Sequence, residues 1–301
     1  MTKFDLAISY TWIYDIEFVQ LIEKIFQKNG LSTYLIHEEN IEEVINLLKN
    51  RRLVFTAYLD RASDEDPAFE PITQILAKRK CYIINPHFKV KKVIKKSYMH
   101  KKLEMKNFSL PKTIILPPYD KDNSLKITED EILKLSNPFI IKPGVYSGGG
   151  EGVVKNATSI TQIQTERMKS HSEEYLLQEK IFPKSLEGRR AWFRVFWAFN
   201  KVIPAWWNDL THIYFPVTKE QMKKHHLQPL SRITKKIARL TGMDYFSTEI
   251  ALTKKNRFIL IDYVNDQCDM RLKSIHPDGV PDSIVVQFIE QMKQKVLALK
   301  K

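Results

Sequence analysis

From Phe4 to Ile84 the hydrophobic period of this chain switches repeatedly between two and 3.6, and that alternation restricts the fold more than any other feature. Apolar runs at 4–9, 32–36, 53–58 and 81–84 read as strands, and the amphipathic stretches at 16–27, 41–48 and 67–78 read as helices. Gly30 closes the first helix, Pro67 opens the third, and Asn85-Pro86 stops the last strand. Strands that alternate with helices pack as a small parallel sheet with helices over it. Asp60-Arg61 follows the third strand, where open α/β sheets place ligand groups.

The remainder is less regular. A lysine-rich helix spans 89–107, a strand follows at 110–116, and a second domain begins in this region. Thr128 with Glu131 forms a capping box for a short helix to Leu135. Further helices fall at 159–168, at 229–241 before Gly242, and at 282–299; 175–182 is an apolar run, and 190–199 with 201–207 reads as two paired strands around Asn200.

A length of 301 residues suits about two domains, and 43% apolar content is enough for a packed core. Neither a signal peptide nor a membrane span is expected, and two cysteines, Cys81 and Cys268, argue for a reducing cytoplasm. The net charge of +13 is concentrated: residues 78–112 hold twelve Lys or Arg against Glu104 alone, +11, and the other 266 residues carry +2. Val90, Val93, Ile94, Tyr98, Met99 and Leu103 interrupt that block at helical spacing, and aromatics for base stacking are sparse, so it reads as a basic helix face and speaks against nucleic-acid binding.

Five of the nine glycines lie between Gly144 and Gly152, behind the strand-like Phe139-Ile140-Ile141 and the pair Lys142-Pro143. Without Cβ atoms such a loop can bring several N–H donors close to an anion, and Lys142 adds a positive charge. A P-loop needs Gly-Lys-Ser/Thr, whereas Gly149 is followed by Gly150 and Glu151; the dinucleotide fingerprint lacks its third glycine. What remains is strand, Lys-Pro, glycine flap and returning strand, a hairpin suited to closing over a nucleotide.

Two later runs, 246–252 and 258–264, read as strands joined by the polar turn 253–257. With that turn centred on Lys255-Asn256, Glu249 faces Asp262. Paired carboxylates repel unless a cation or proton lies between them, and Mg²⁺ takes oxygen ligands together with substrate phosphates. Asn265 is a third candidate ligand, provided that a bulge at Tyr263-Val264 turns it to the same face.

In order, these features resemble the ATP-grasp superfamily over nearly the whole chain. The resemblance implies an α/β and α+β protein: a parallel pre-ATP-grasp domain at 1–88 and a two-lobed ATP-grasp domain at 89–301, with the glycine flap in the lobe 89–176 and the metal-binding hairpin in the lobe 177–301. It makes Lys96 and Lys142 the two ATP lysines, and Gly148, Gly149, Gly150 and Gly152 the flap over the phosphates. Gln178, Glu179, Lys180 and Ile181 match the segment that binds adenine, Glu187 is placed for the ribose hydroxyls, and Arg194 matches the arginine that steadies the triphosphate. Glu249, Asp262 and Asn265 fall at the metal ligands, although the family more often spaces its last pair two residues apart.

The activity implied is ATP-dependent ligation with Mg²⁺ or Mn²⁺: the γ-phosphoryl group moves to a small-molecule carboxylate, and an amine or thiol attacks the acylphosphate. Lys142, Arg194 and Arg271 are the candidate catalytic cations, Arg271 for its capacity to bind a carboxylate through two hydrogen bonds, with Asp266, Gln267 and Asp269 beside it in the acceptor region. An ATP-grasp kinase acting on a polyanionic acceptor and a non-catalytic nucleotide or nucleic-acid binder are the competing readings.

Overall fold

A computed structural model of the chain describes residues 1–120, 127–145 and 151–300. The N-terminal alternation folds as expected. Strands β1 (Thr2–Tyr10), β2 (Thr33–Ile36), β3 (Leu53–Arg61) and β4 (Tyr82–Ile84) form a sheet in the order β2-β1-β3-β4, every pair parallel. Helices α1 (Ile16–Lys28), α2 (Ile41–Lys49) and α3 (Glu70–Ala77) connect them. Leu6, Ala7 and Ile8 of β1 are buried in succession, as expected of a parallel strand covered on both faces. Helix α1 buries Phe18, Val19, Ile22 and Phe26, and it ends where Gly30 takes φ 70° so that the Gly30 and Leu31 amides turn back to the carbonyls of Gln27 and Phe26.

The lysine-rich segment corrects one expectation. It is two helices, α4 (His87–Val93) and α5 (Lys96–Glu104), interrupted where Lys95 is extended. The interruption leaves the Lys96 amide to donate to the Gly144 carbonyl at 2.7 Å, which fastens the start of α5 to the end of a neighbouring strand.

Beyond it, β5 (Thr113–Leu116), α6 (Glu129–Leu133), β6 (Phe139–Pro143), β7 (Val154–Ala157), α7 (Ile160–Met168) and β8 (Tyr175–Glu179) build an antiparallel sheet in the order β5-β8-β6-β7. The Thr128–Glu131 capping box forms at the start of α6. Strands β6 and β7 are the two arms of the expected glycine hairpin, and Lys142 pairs across to Leu176.

A short hairpin, β9 (Ser185–Leu186) and β10 (Arg189–Arg190), turns at Glu187-Gly188, both with positive φ. The next sheet contains β11 (Trp192–Ala198), β12 (Lys201–Trp207), β13 (Tyr214–Pro216), β14 (Tyr245–Leu252) and β15 (Phe258–Asn265), in the order β13-β12-β11-β14-β15. Helices α8 (Lys219–Lys224), α9 (Gln228–Thr241) and α10 (Asp282–Leu299) complete the chain, α9 ending at Gly242 with φ 66°. The described chain divides into two compact units: residues 1–90, 195–247 and 266–301 form the first, and residues 91–194 and 248–265 the second. No helix among the described residues is long and apolar enough to cross a membrane, and neither Cys81 nor Cys268 forms a disulfide among the described residues.

The β14–β15 turn also differs from expectation. The Thr253 amide donates to the Arg257 carbonyl at 3.0 Å and the Asn256 amide to the Thr253 carbonyl at 2.9 Å, with Asn256 at φ 56°. This is a three-residue loop rather than a two-residue one, and an unbroken ladder running from it would set Thr248, not Glu249, across from Asp262.

Candidate nucleotide site in the second unit

The second unit gathers five of the sequence-predicted residues. Lys142 projects from β6 with only 6% of its surface exposed, and its ammonium donates to the Ile261 carbonyl at 3.1 Å. The same ammonium lies 5.5 Å from the centre of the Tyr263 ring, a cation–π distance. Burial draws the Lys142 pKa down to about 8; Asp262 pulls it back up, Lys96 pushes it further down and Glu249 raises it. Both carboxylates therefore act on one ammonium despite the revised turn.

Asp262 responds in the opposite sense. Burial raises its pKa, but Lys96, Lys142 and Arg194 outweigh that effect and hold it below the ordinary carboxylate range. Glu249 is engaged at both oxygens, accepting from the Arg194 guanidinium and, at 3.0 Å, from Trp192 Nε1. Three cations and two carboxylates thus converge, an excess of positive charge in partly dehydrated surroundings where electrostatic attraction to an anion is strengthened.

A polar network absent from the sequence reading backs this cluster. The Tyr263 hydroxyl lies 2.6 Å from His100 Nδ1 and accepts from Gln178 Nε2 at 3.1 Å, and Gln178 Nε2 also donates to Thr113 Oγ1 at 2.9 Å. Burial lowers the His100 pKa, Glu104 raises it and Lys142 lowers it further. Gln178, expected at adenine, is thereby 98% covered and bonded within the protein. The Glu179 amide donates to Lys112 O at 2.8 Å while its carboxylate accepts from Lys112 N at 3.2 Å. Lys180 donates from its amide to Ser136 Oγ and from its ammonium to Asn156 Oδ1, and Ile181 is half-buried.

Gly148, Gly149 and Gly150 lie outside the described residues; Gly152 has φ 68°. Gly144, at the base of the cluster, has a packing reason to lack a side chain: an added Cβ would lie 3.0 Å from the Glu174 carbonyl oxygen. Glu187 is exposed in the β9–β10 turn, and Asn265 is half-buried at the end of β15. Arg271 lies in the first unit, where its guanidinium forks onto Asp269 and Asp278 and these partners raise its pKa. Asp266, also there, is pushed up to about 6, by burial first and by Asp64 second.

Asp262 and Glu249 offer the hard oxygen donors that Mg²⁺ and Mn²⁺ take. Among the described residues no group of three or more His, Cys, Asp or Glu stands ready to cage a metal. The donors present suit a cation that arrives with oxygens of its own, as one bound to phosphates does.

No protein family and no curated protein matches the chain by sequence. Solved structures do match. A D-alanine–D-alanine ligase from Bacillus anthracis complexed with ATP is 13% identical, over 98% of each chain, with a TM-score of 0.63. The VanG D-Ala:D-Ser ligase from Enterococcus faecalis is 11% identical over 99% of each chain, with a TM-score of 0.64. The macrocyclase MdnC from Microcystis aeruginosa, bound with precursor peptide MdnA, is 14% identical over 96% of this chain and 98% of its own, with a TM-score of 0.58.

Proposed function

We propose that this chain, which has the fold of the ATP-grasp ligases, binds ATP and uses it to activate a small-molecule carboxylate for attack by an amine or thiol. One observation carries the reading: Lys96, Lys142 and Arg194 meet Glu249 and Asp262 in one cluster. Fold neighbours support it: the Bacillus anthracis ligase is complexed with ATP, and the ATP-grasp ligase PsnB, 12% identical with a TM-score of 0.58, is complexed with a minimal precursor, Mg and ADP.

In this reading residues 1–88 are the pre-ATP-grasp domain, and 89–176 and 177–301 are the two lobes of the ATP-grasp domain. Lys142 and Lys96 hold the phosphate oxygens, and Arg194 steadies the outer phosphates after leaving part of its hold on Glu249. Asp262, with Glu249 and Asn265, would hold Mg²⁺ or Mn²⁺, which neutralises triphosphate charge when bound. Gly148, Gly149, Gly150 and Gly152 cover the phosphates, the segment from Gln178 to Ile181 borders the adenine, and Glu187 reaches the ribose. Arg271 receives the substrate carboxylate by exchanging one of its aspartate partners.

The γ-phosphoryl group passes to a carboxylate oxygen as the bond to ADP breaks. The amine or thiol then adds to the acyl carbon and phosphate departs with that oxygen. The side chains contribute position and charge rather than covalent bonds.

A panel of carboxylic acids with amines or thiols, incubated with ATP, Mg²⁺ and the protein, tests this. ADP and free phosphate released in equal amounts, dependent on both partners, is the expected result. Phosphate retained on the acceptor contradicts ligation and identifies a kinase.

A further inference from the structure

Helix α9 belongs to the first unit and packs its apolar side, Leu230, Ile237 and Ala238, inward. Its outer side is of one sign. Arg232, Lys235, Lys236 and Arg239 are all exposed, at the spacing i, i+3, i+4, i+7 that aligns side chains on one helix face, and the helix contains neither Asp nor Glu. No carboxylate among the described residues pairs with Arg232, Lys235 or Arg239. Arg232, Lys235 and Arg239 are like charges one and two turns apart along the helix, and they repel one another.

The face also lacks any apolar anchor, since none of the large exposed hydrophobic residues belongs to α9. Protein partners gain most of their affinity from buried aromatic and aliphatic anchors, so an acidic protein would find little here besides charge. A membrane-surface helix must turn its apolar side outward, and α9 turns it inward. Single-stranded nucleic acid is held by stacking on aromatic rings, and α9 has none. A duplex backbone asks only for spaced cations: it carries one charge per roughly 1.7 Å of axis, and the seven helical steps from Arg232 to Arg239 cover about 10 Å. The segment 91–106 differs, because Tyr98 and Met105 break its exposed lysines and Lys102 lies over the Tyr98 ring.

We propose that α9 docks on the phosphate backbone of a double-stranded nucleic acid, without reading its sequence. Fluorescence anisotropy with labelled 20-base-pair RNA and DNA duplexes, at several salt concentrations and without ATP, tests the proposal. The wild type should bind. Replacing all four cations by Gln (Arg232→Gln, Lys235→Gln, Lys236→Gln, Arg239→Gln) should weaken binding at least tenfold and make the slope of log K against log salt shallower by about 3 to 4, near 0.9 per lost phosphate contact. Should the fourfold variant fold poorly by circular dichroism, the pair Lys235→Gln with Arg239→Gln should lower the slope by about 2. The triple variant Lys91→Gln, Lys92→Gln, Lys101→Gln should bind within twofold of wild type. No duplex binding by the wild type, equal loss in that triple variant, or tighter binding to poly-glutamate or to phosphatidylserine vesicles would each overturn the assignment.

Discussion

Two arginine–carboxylate pairs, one in each unit, show how similar groups serve different ends. In the first unit Arg61 is fully buried: its Nε and Nη2 bind the two oxygens of Asp15 at 2.7 and 2.8 Å, and Nη2 also donates to the Cys268 carbonyl. Burial works against that guanidinium's charge, but Asp15 more than offsets it and raises the pKa above its ordinary value. Asp60 is equally engaged, accepting from Ser9, Ala62, Ser63 and Thr73. In the second unit Arg194 and Glu249 belong to a cluster with Lys96, Lys142 and Asp262, where cations outnumber carboxylates. A balanced pair secures the fold; an unbalanced cluster is poised for an anion.

Removing one partner of the balanced pair should have the largest effect. Asp15→Ala leaves Arg61 buried without its counter-charge and should cost about 3–5 kcal/mol in urea unfolding, whereas ATP turnover measured in the surviving folded fraction should be nearly unchanged. Loss of turnover with intact stability would break the distinction. Next is Lys142→Ala, expected to lower turnover by about 10²–10³-fold, the usual effect of deleting one preorganised charge, without lowering the midpoint of unfolding.

The lysine also has a pH signature. Its folded pKa of about 8 lies below the unfolded value of 10.5, so holding it charged costs stability below pH 8, and the cost fades as pH rises towards 10.5. Lys142→Met should therefore be more stable than wild type by roughly 3 kcal/mol at pH 7, a margin that narrows by pH 10. Nucleotide affinity of the wild type should fall over the same rise. A margin independent of pH would place the charge elsewhere. The smallest effect is a control that belongs to neither pair: Thr128→Ala, at the α6 capping box, should cost about 1 kcal/mol in thermal unfolding and leave activity intact.

Much of this was legible from the residues. The strands and helices of the first 86 positions follow from their hydrophobic periods, and Gly30, Pro67 and Asn85-Pro86 mark their ends because each has a restricted or unusual backbone. The convergence of Lys96, Lys142, Arg194, Glu249 and Asp262 was legible only as an order along the chain, since no local rule brings residues so far apart together. The β14–β15 register was not readable: Asn tolerates positive φ, so Lys255-Asn256 suits a two-residue turn and Asn256 equally suits the last place of a three-residue one. The break before α5 was hidden as well, because it depends on a hydrogen bond from Lys96 to Gly144, a distant residue. His100 and Tyr263 carried no motif; their pairing arises where α5 and β15 meet within the second unit. Strand β13 and helix α8 were missed for their brevity, at three and six residues.

The most direct measurement is calorimetric titration of wild type and Lys142→Ala with a non-hydrolysable ATP analogue and Mg²⁺. The charge cluster predicts one binding event per wild-type chain and at least tenfold weaker binding in the variant. No heat with the wild type, or equal affinity in the two proteins, would contradict a nucleotide site at Lys142.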